Sequence, residues 1–288
     1  MNGLRENIPH YLNLIRFDKP IGTYLLLWPT LWALWLAAEG VPDLKLLVIF
    51  TLGTFLMRSA GCVINDYADR KIDGQVKRTV KRPIAAGFIK PKDALIFCAI
   101  LCVAAFILVL FTNNKTILLS FAALILAACY PFMKRYTYYP QLVLGAAFSC
   151  GIPMAFAAQR NDLPSSLWLI YIAVVLWTMA YDTFYAMVDR DDDIKIGVKS
   201  TAILFGDDDR KITGAIQAVV IFILLLAGGK FSLGYWYYSS VFGAAGLFVY
   251  QQYLIRDRDR DECFKAFLHN HWVGAMIFAG IFLHYFFQ

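Results

Sequence analysis

The sequence predicts an all-α polytopic membrane protein with nine transmembrane helices. Three observations carry that reading. Hydrophobic residues make up 59% of the 288 positions and charged residues only 17%, against roughly 45–50% and about 25% in an ordinary soluble domain. Mean hydropathy is +0.56. The apolar residues fall in long charge-free runs, and Lys and Arg gather between alternate runs. A chain this short has too little interior to hide so much apolar surface from water.

The runs cover 20–38, 94–114, 116–133, 136–159, 163–181, 212–229, 231–255 and 266–288. A hydrocarbon core of ~30 Å needs about 20 helical residues at ~1.5 Å each, so each run is one span. The ninth extends from about Leu46 to Asn65, broken only by Arg58. Backbone groups in lipid must be satisfied internally, by helices or a closed barrel. These runs do not alternate polar with apolar, so they are helices. The first run reads as a retained helix and not as a cleaved signal.

With the N-terminus inside, the inner segments 1–19, 66–93, 134–135, 189–211 and 256–265 hold 22 Lys and Arg residues. The outer segments hold four, Lys45, Lys115, Arg160 and Lys230. That asymmetry places the N-terminus in the cytoplasm and the C-terminus outside. The net charge of +6 is therefore topological, and a nucleic-acid partner is not expected. The six cysteines show no CxxC spacing and read as small buried hydrophobes, and the four histidines form no zinc set. The long inner loops, 66–93 and 189–211, are where function is expected.

Two acidic strings close helices on that side. Asn65, Asp69 and Asp73 are spaced i, i+4, i+8, and Asp182, Asp189 and Asp193 are spaced i, i+7, i+11. On a helix each set falls on one face. Asp69-Arg70-x-x-Asp73 matches Asp189-Arg190-x-x-Asp193 at a separation of 120 residues, which reads as an internal repeat. Carboxylates stacked on one face repel, the helix C-terminal dipole adds to the repulsion, and the membrane boundary desolvates them. A cation relieves all three. Hard oxygen ligands that leave room for phosphate favour Mg²⁺, so the two faces read as a Mg²⁺–diphosphate site. The plainer alternative is a solvated stop paired with Arg70, Lys71 and Arg190; Asp66, Asp191 and Asp192, off the main face, fit that description better.

Other polar residues stand where lipid disfavours them. Arg58 lies two turns before Asn65 on roughly the same face, as a reader of carboxylate or phosphate or as a structural partner of Asp182. Tyr130 and Lys134, one turn apart, can converge on phosphate. Arg16 either serves substrate or snorkels. Lys77 and its loop neighbours, and Lys199, are further basic candidates for diphosphate. Asp207 to Asp209 read as a helix cap, Arg256 to Asp261 as a solvated loop, and Trp28, Trp32 and Trp35 as an interfacial belt.

Asn65-Asp66-x-x-Asp69-x-x-x-Asp73, with Asp182 and Asp189-x-x-x-Asp193, resembles the two signatures of the UbiA superfamily of intramembrane prenyltransferases. Asp18-Lys19-Pro20-Ile21-Gly22, Leu27 to Trp32, Ala60 to Asp66, Tyr130 to Tyr136 and Gly197 to Thr201 are similar to its proteobacterial hydroxybenzoate branch. The likeness spans nearly the whole chain, read as one domain over 1–288. It implies a ring of nine helices around a central cavity with a cytoplasmic cap, in a bacterial inner membrane. It implies two Mg²⁺ ions, one held by Asn65, Asp69 and Asp73 and the other by Asp189 and Asp193. Arg58, Tyr130 and Lys134 match positions at the diphosphate or the reacting carbon, and Asp182 a polar position deep in the cavity. The implied reaction transfers a polyprenyl, expected octaprenyl, group from polyprenyl diphosphate to 4-hydroxybenzoate, ortho to its hydroxyl, as the membrane step of ubiquinone biosynthesis. The lipid bilayer is the expected surrounding, and no obligate protein partner is expected. A cation-coupled transporter and a sister enzyme with another acceptor are the competing readings; the clustering of acids at inner helix ends disfavours the transporter.

Overall fold

The computed structural model describes residues 2–75 and 79–288, with side chains from Ile8 onward. Among the described residues every regular element is helical. In chain order they are α1 (Asn2–Leu14), α2 (Ile21–Ala38), α3 (Leu44–Asp69), α4 (Pro91–Val109), α5 (Asn114–Met133), α6 (Pro140–Ser149), α7 (Gly151–Arg160), α8 (Leu167–Ile196), α9 (Thr201–Phe205), α10 (Asp209–Lys230), α11 (Tyr235–Leu254) and α12 (Arg260–Phe286).

Eight segments are long and apolar enough to cross a membrane, α6 and α7 together making one of them. The chain is thus a multi-pass membrane protein. The ninth expected span, α11, has the length but carries Tyr, Ser and Gln side chains that lower its hydropathy. Several of these turn inward: Tyr237 and Gln251 are buried, and Gln217 Nε2 of α10 donates to Gln251 Oε1 at 2.9 Å. A polar bond between helices holds them together where lipid offers no hydrophobic drive.

The ends follow ordinary capping chemistry. Asp43 accepts from the Lys45 amide at 2.7 Å to start α3, and Asn113 accepts from the Thr116 amide at 3.0 Å to start α5. Asp259 accepts from the amides of Asp261 and Glu262 to start α12. These acceptors take up amides that the first helical turn cannot pair. Gly197, at φ 71°, ends α8 in the left-handed region, with the Val198 amide donating back to Asp193.

Successive long helices pack as neighbours, α12 closes onto α2, and α8 reaches α6, α10 and α12. The core lies along α2, α8 and α12. Trp32 stacks on Trp177 at 5.5 Å; their indole N–H groups donate to the Gly274 carbonyl and to Asn270 Oδ1. Buried indoles keep a hydrogen-bond partner in this way. Trp32 and Trp35 are therefore core residues, 2% and 7% exposed, and not the interfacial belt expected from sequence. Outward, Ile96, Ile100, Val103 and Ile107 form an exposed apolar stripe on α4, at the spacing of one helix face. Such a face suits lipid.

The start of α10 also departs from expectation. Asp209 is not a surface cap: its side chain is fully buried, and Arg258 Nε donates to both carboxylate oxygens at 3.0 and 3.1 Å. Arg190 stands 3.6 Å away. The alternating Arg256–Asp261 segment is thus partly a clamp, since Arg260 also pairs with Asp191 and Asp192. Asp209→Ala strands those guanidiniums and is expected to cost about 1–3 kcal/mol. A melting temperature in detergent equal to that of the unsubstituted protein would show that the clamp carries no stability.

Candidate active site

Three helix C-termini meet at one end of the ring. α3 brings Asn65, Asp66 and Asp69, α5 brings Tyr130 and is capped by Lys134, and α8 brings Asp182, Asp189 and Asp193. A small pocket of about 130 Å³ is lined by Asn65, Asp69, Asp73, Lys134, Asp189 and Asp193, and also by Tyr130, Asp182, Arg82 and Lys199. Both acidic strings therefore face one space. A second cavity, about 1480 Å³, runs into the bundle and is lined by apolar side chains such as Phe106, Leu124 and Phe148, together with Arg16 and Arg58. Asn65, Arg82, Tyr130, Asp182 and Tyr185 belong to both. They form the wall where the polar pocket meets the apolar cavity.

The first acidic string is not one continuous helix face. α3 stops at Asp69, and Asp73 lies in a 3₁₀ turn over Asp73–Gln75. It is brought back by tertiary contacts. Arg82 Nη1 donates to both Asp73 oxygens at 3.0 Å, and Thr79 Oγ1 donates to the Asp73 carbonyl at 2.9 Å. Burial pushes the Asp73 carboxyl up to about 6; Arg82 works against that, while Asp69 and Asp66 reinforce it. In the second string Asp182, Asp189 and Asp193 all lie on α8, as spaced.

The carboxylates are held by cations from distant segments. Lys134 Nζ donates to Asp69 Oδ2. The other oxygen of Asp69, Oδ1, is buried with no hydrogen-bond partner. Asp66, read from sequence as off the site, is 1% exposed. Arg16 Nη2 donates to both its oxygens at 2.7 and 3.0 Å, and Arg82 approaches to 3.3 Å. Arg82 also lies 3.9 Å from Asp69. Asp66 was thus missed as a member of the site: it does not sit on the i, i+4 stripe, and no local spacing links it to Arg16 fifty residues earlier, whereas Arg82 was among the loop basic residues expected near diphosphate and does line the small pocket.

The remaining candidates divide. Arg58 lines the large cavity but not the small pocket. Arg16, at a left-handed φ of 57°, faces the same cavity while bonded to Asp66. Lys199 borders the small pocket, yet its ammonium donates to the Tyr136 carbonyl at 3.3 Å and lies 5.4 Å from the Tyr138 ring. Lys77 falls outside the described residues. Asp191 and Asp192 pair with Arg260 and stand apart from the pocket, as expected. Among the described residues no three acidic, histidine or cysteine side chains form a closed metal cage. The acids instead line an open pocket.

Residues 26–281 match the UbiA prenyltransferase family. A protein of Saccharophagus degradans described as 4-hydroxybenzoate octaprenyltransferase is 62% identical over 278 residues, 96% of this chain and 93% of that protein. A protein of the same description from Aeromonas hydrophila is 62% identical over 275 residues, 96% of each. Among solved structures, a UbiA homolog from Aeropyrum pernix aligns with a TM-score of 0.80 at 24% identity, covering 90% of this chain and 97% of that one. A UbiA homolog from Archaeoglobus fulgidus, solved with GPP and Mg²⁺ bound, aligns with a TM-score of 0.68 at 17% identity, covering 94% and 99%. The two structures share the fold. On a match that spans most of its length, the chain belongs to the UbiA prenyltransferase family.

Proposed function

We propose that this chain transfers a polyprenyl group, octaprenyl by likeness to its relatives, from polyprenyl diphosphate to 4-hydroxybenzoate, ortho to the hydroxyl, with release of diphosphate. The observation that carries the reading is the shared wall: a polar acidic pocket opens directly onto a large apolar cavity. A prenyl diphosphate has the same two parts, joined at the carbon that reacts.

In this reading the diphosphate occupies the small pocket. The donor set fits a divalent cation there, because Asn65, Asp69, Asp73, Asp189 and Asp193 all offer oxygen and Asp69 Oδ1 is a buried acceptor without a donor. An open pocket suits Mg²⁺, which takes few carboxylates and keeps phosphate oxygens and water. When bound, such an ion draws charge from the departing diphosphate. Lys134 and Arg82 supply further positive charge on the same side. C1 of the prenyl chain then lies at the shared wall. The rings of Tyr130 and Tyr185 offer π faces to the allylic cation there, and the apolar cavity keeps water from it. Arg58, in the large cavity, binds the carboxylate of the acceptor. Asp182, on the wall, takes the proton that the ring releases as aromaticity returns.

The 22-to-4 division of basic residues supports a cytoplasmic acidic pocket and N-terminus and an outward C-terminus, and the likeness to bacterial relatives supports a bacterial inner membrane. Residues 1–288 act as one domain in this reading. The test is incorporation of labelled 4-hydroxybenzoate into lipid by membranes containing the protein and a polyprenyl diphosphate. Label is expected in the lipid phase with Mg²⁺ and is expected to vanish with EDTA. No label in membranes shown to hold folded protein would sink the assignment.

A further inference from the structure

Gly22 is the second residue of α2, and the guanidinium of Arg58 from α3 lies against it. A Cβ built on Gly22 would stand 2.3 Å from both Nε and Nη2 of Arg58 and 2.7 Å from Cζ. No side chain other than hydrogen leaves the guanidinium where it is. Both residues line the large cavity. Neither borders the small acidic pocket.

Nothing in the helix itself calls for this glycine. Its φ is outside the left-handed region, and glycine inside a helix is less stable than alanine. The neighbouring cation gains nothing from the helix either, because the first turn of α2 carries the positive end of its dipole. The arrangement places a guanidinium in a largely apolar cavity, one that Arg16 also lines, beside the positive end of a helix. That placement suits an anionic group arriving from the cavity, and it holds only while residue 22 has no side chain.

We infer that Gly22 is a positioning residue for acceptor selection: the notch it leaves in α2 sets the guanidinium of Arg58 at the depth where the carboxylate of the aromatic acceptor binds. This rests on the assignment of Arg58 to the acceptor carboxylate made above. The clash is with the far end of a flexible side chain, so Gly22→Ala moves the guanidinium without unfolding the helix.

The experiment compares wild type, Gly22→Ala, Arg58→Ala and the double variant in proteoliposomes. Gly246→Ala serves as the control, since a Cβ on Gly246 meets nothing within 4 Å. KM is measured separately for 4-hydroxybenzoate and for the polyprenyl diphosphate. The neutral analogue 4-hydroxybenzamide gives the preference for a carboxylate, and a thermal melt reports the fold. Gly22→Ala is expected to raise KM for 4-hydroxybenzoate about 10- to 100-fold, the range of a lost charge-assisted hydrogen bond. KM for the diphosphate and the melting temperature stay near wild type. The preference for carboxylate over amide falls toward that of Arg58→Ala, and the double variant is no worse than Arg58→Ala alone. A purely structural glycine would instead lower stability, affect both substrates and add to the loss from Arg58→Ala. Any of those results overturns the proposal, as does a Gly22→Ala protein indistinguishable from wild type or one that fails to fold. Wild-type protein that transfers to other aromatic acceptors and ignores 4-hydroxybenzoate would overturn the acceptor assignment, and this inference with it.

Discussion

Asp69→Ala and Asp189→Ala are each expected to lower prenyl transfer by about 10²–10³-fold or more, the scale of removing one preorganised electrostatic contact to a developing charge. The protein should still accumulate in the membrane. Asp69 carries the buried oxygen with no donor, and its other oxygen accepts from Lys134. Asp189, buried on α8, lines the same pocket. One substitution at each side of the pocket tests whether both strings serve one reaction. The measurement is initial rate against Mg²⁺ concentration, with protein quantified in the same membranes. Asp69→Ala strands the Lys134 ammonium that its carboxylate holds, so some loss of melting temperature in detergent is expected there, and the rate is normalised to folded protein. A variant with near-normal rate at saturating Mg²⁺ would remove that residue from the site.

The Asp66→Ala variant is expected to fail differently. Here one fully buried carboxylate lies between Arg16, whose side chain is 17% exposed, and Arg82, at 13%. Removing a partner from a buried ion pair leaves uncompensated charge and costs about 3–5 kcal/mol. Arg16 fixes the end of α1, and Arg82 fixes the turn that holds Asp73. The loss is therefore expected to appear first as a lower melting temperature and then as a higher KM for the diphosphate. The double variant Arg16→Gln/Asp66→Asn should recover part of the stability, because one stranded charge is gone. If Asp66→Ala melts with the wild type, the cluster is not what holds this end of the ring together.

Comparing these two aspartates shows where sequence reasoning reaches and where it stops. Asp69, Asp189 and Asp193 are legible because carboxylates on one helical face, next to apolar runs, have no cheap local neutraliser. Charge-free length and loop charge likewise mark the spans, since both are properties of consecutive residues. Asp66 lies one residue from Asn65 and off the stripe, and only folding brings Arg16 and Arg82 to it. Asp73 falls on the stripe by spacing yet lies beyond the helix end, and Arg70 and Lys71 carry no helix-stop signal that would announce it. Asp209 has the look of a cap and becomes a buried anion for the same reason: Arg258 arrives from the far side of α10 and α11. Trp32 and Trp35 have interfacial composition and core position, which hydropathy alone does not separate. Local chemistry is written in local spacing, whereas counter-ions chosen across the fold are not.

Setting the acidic pocket wall to wall with the apolar cavity makes the proposed enzyme answer to two kinds of concentration. Its acceptor and its diphosphate product belong to bulk water and are counted per volume. Its isoprenoid donor and its lipid product belong to the bilayer and are counted per area, as a fraction of the surrounding lipid. Adding inert phospholipid at constant total donor is therefore a surface dilution, and it should slow turnover without altering the dependence on the aqueous acceptor.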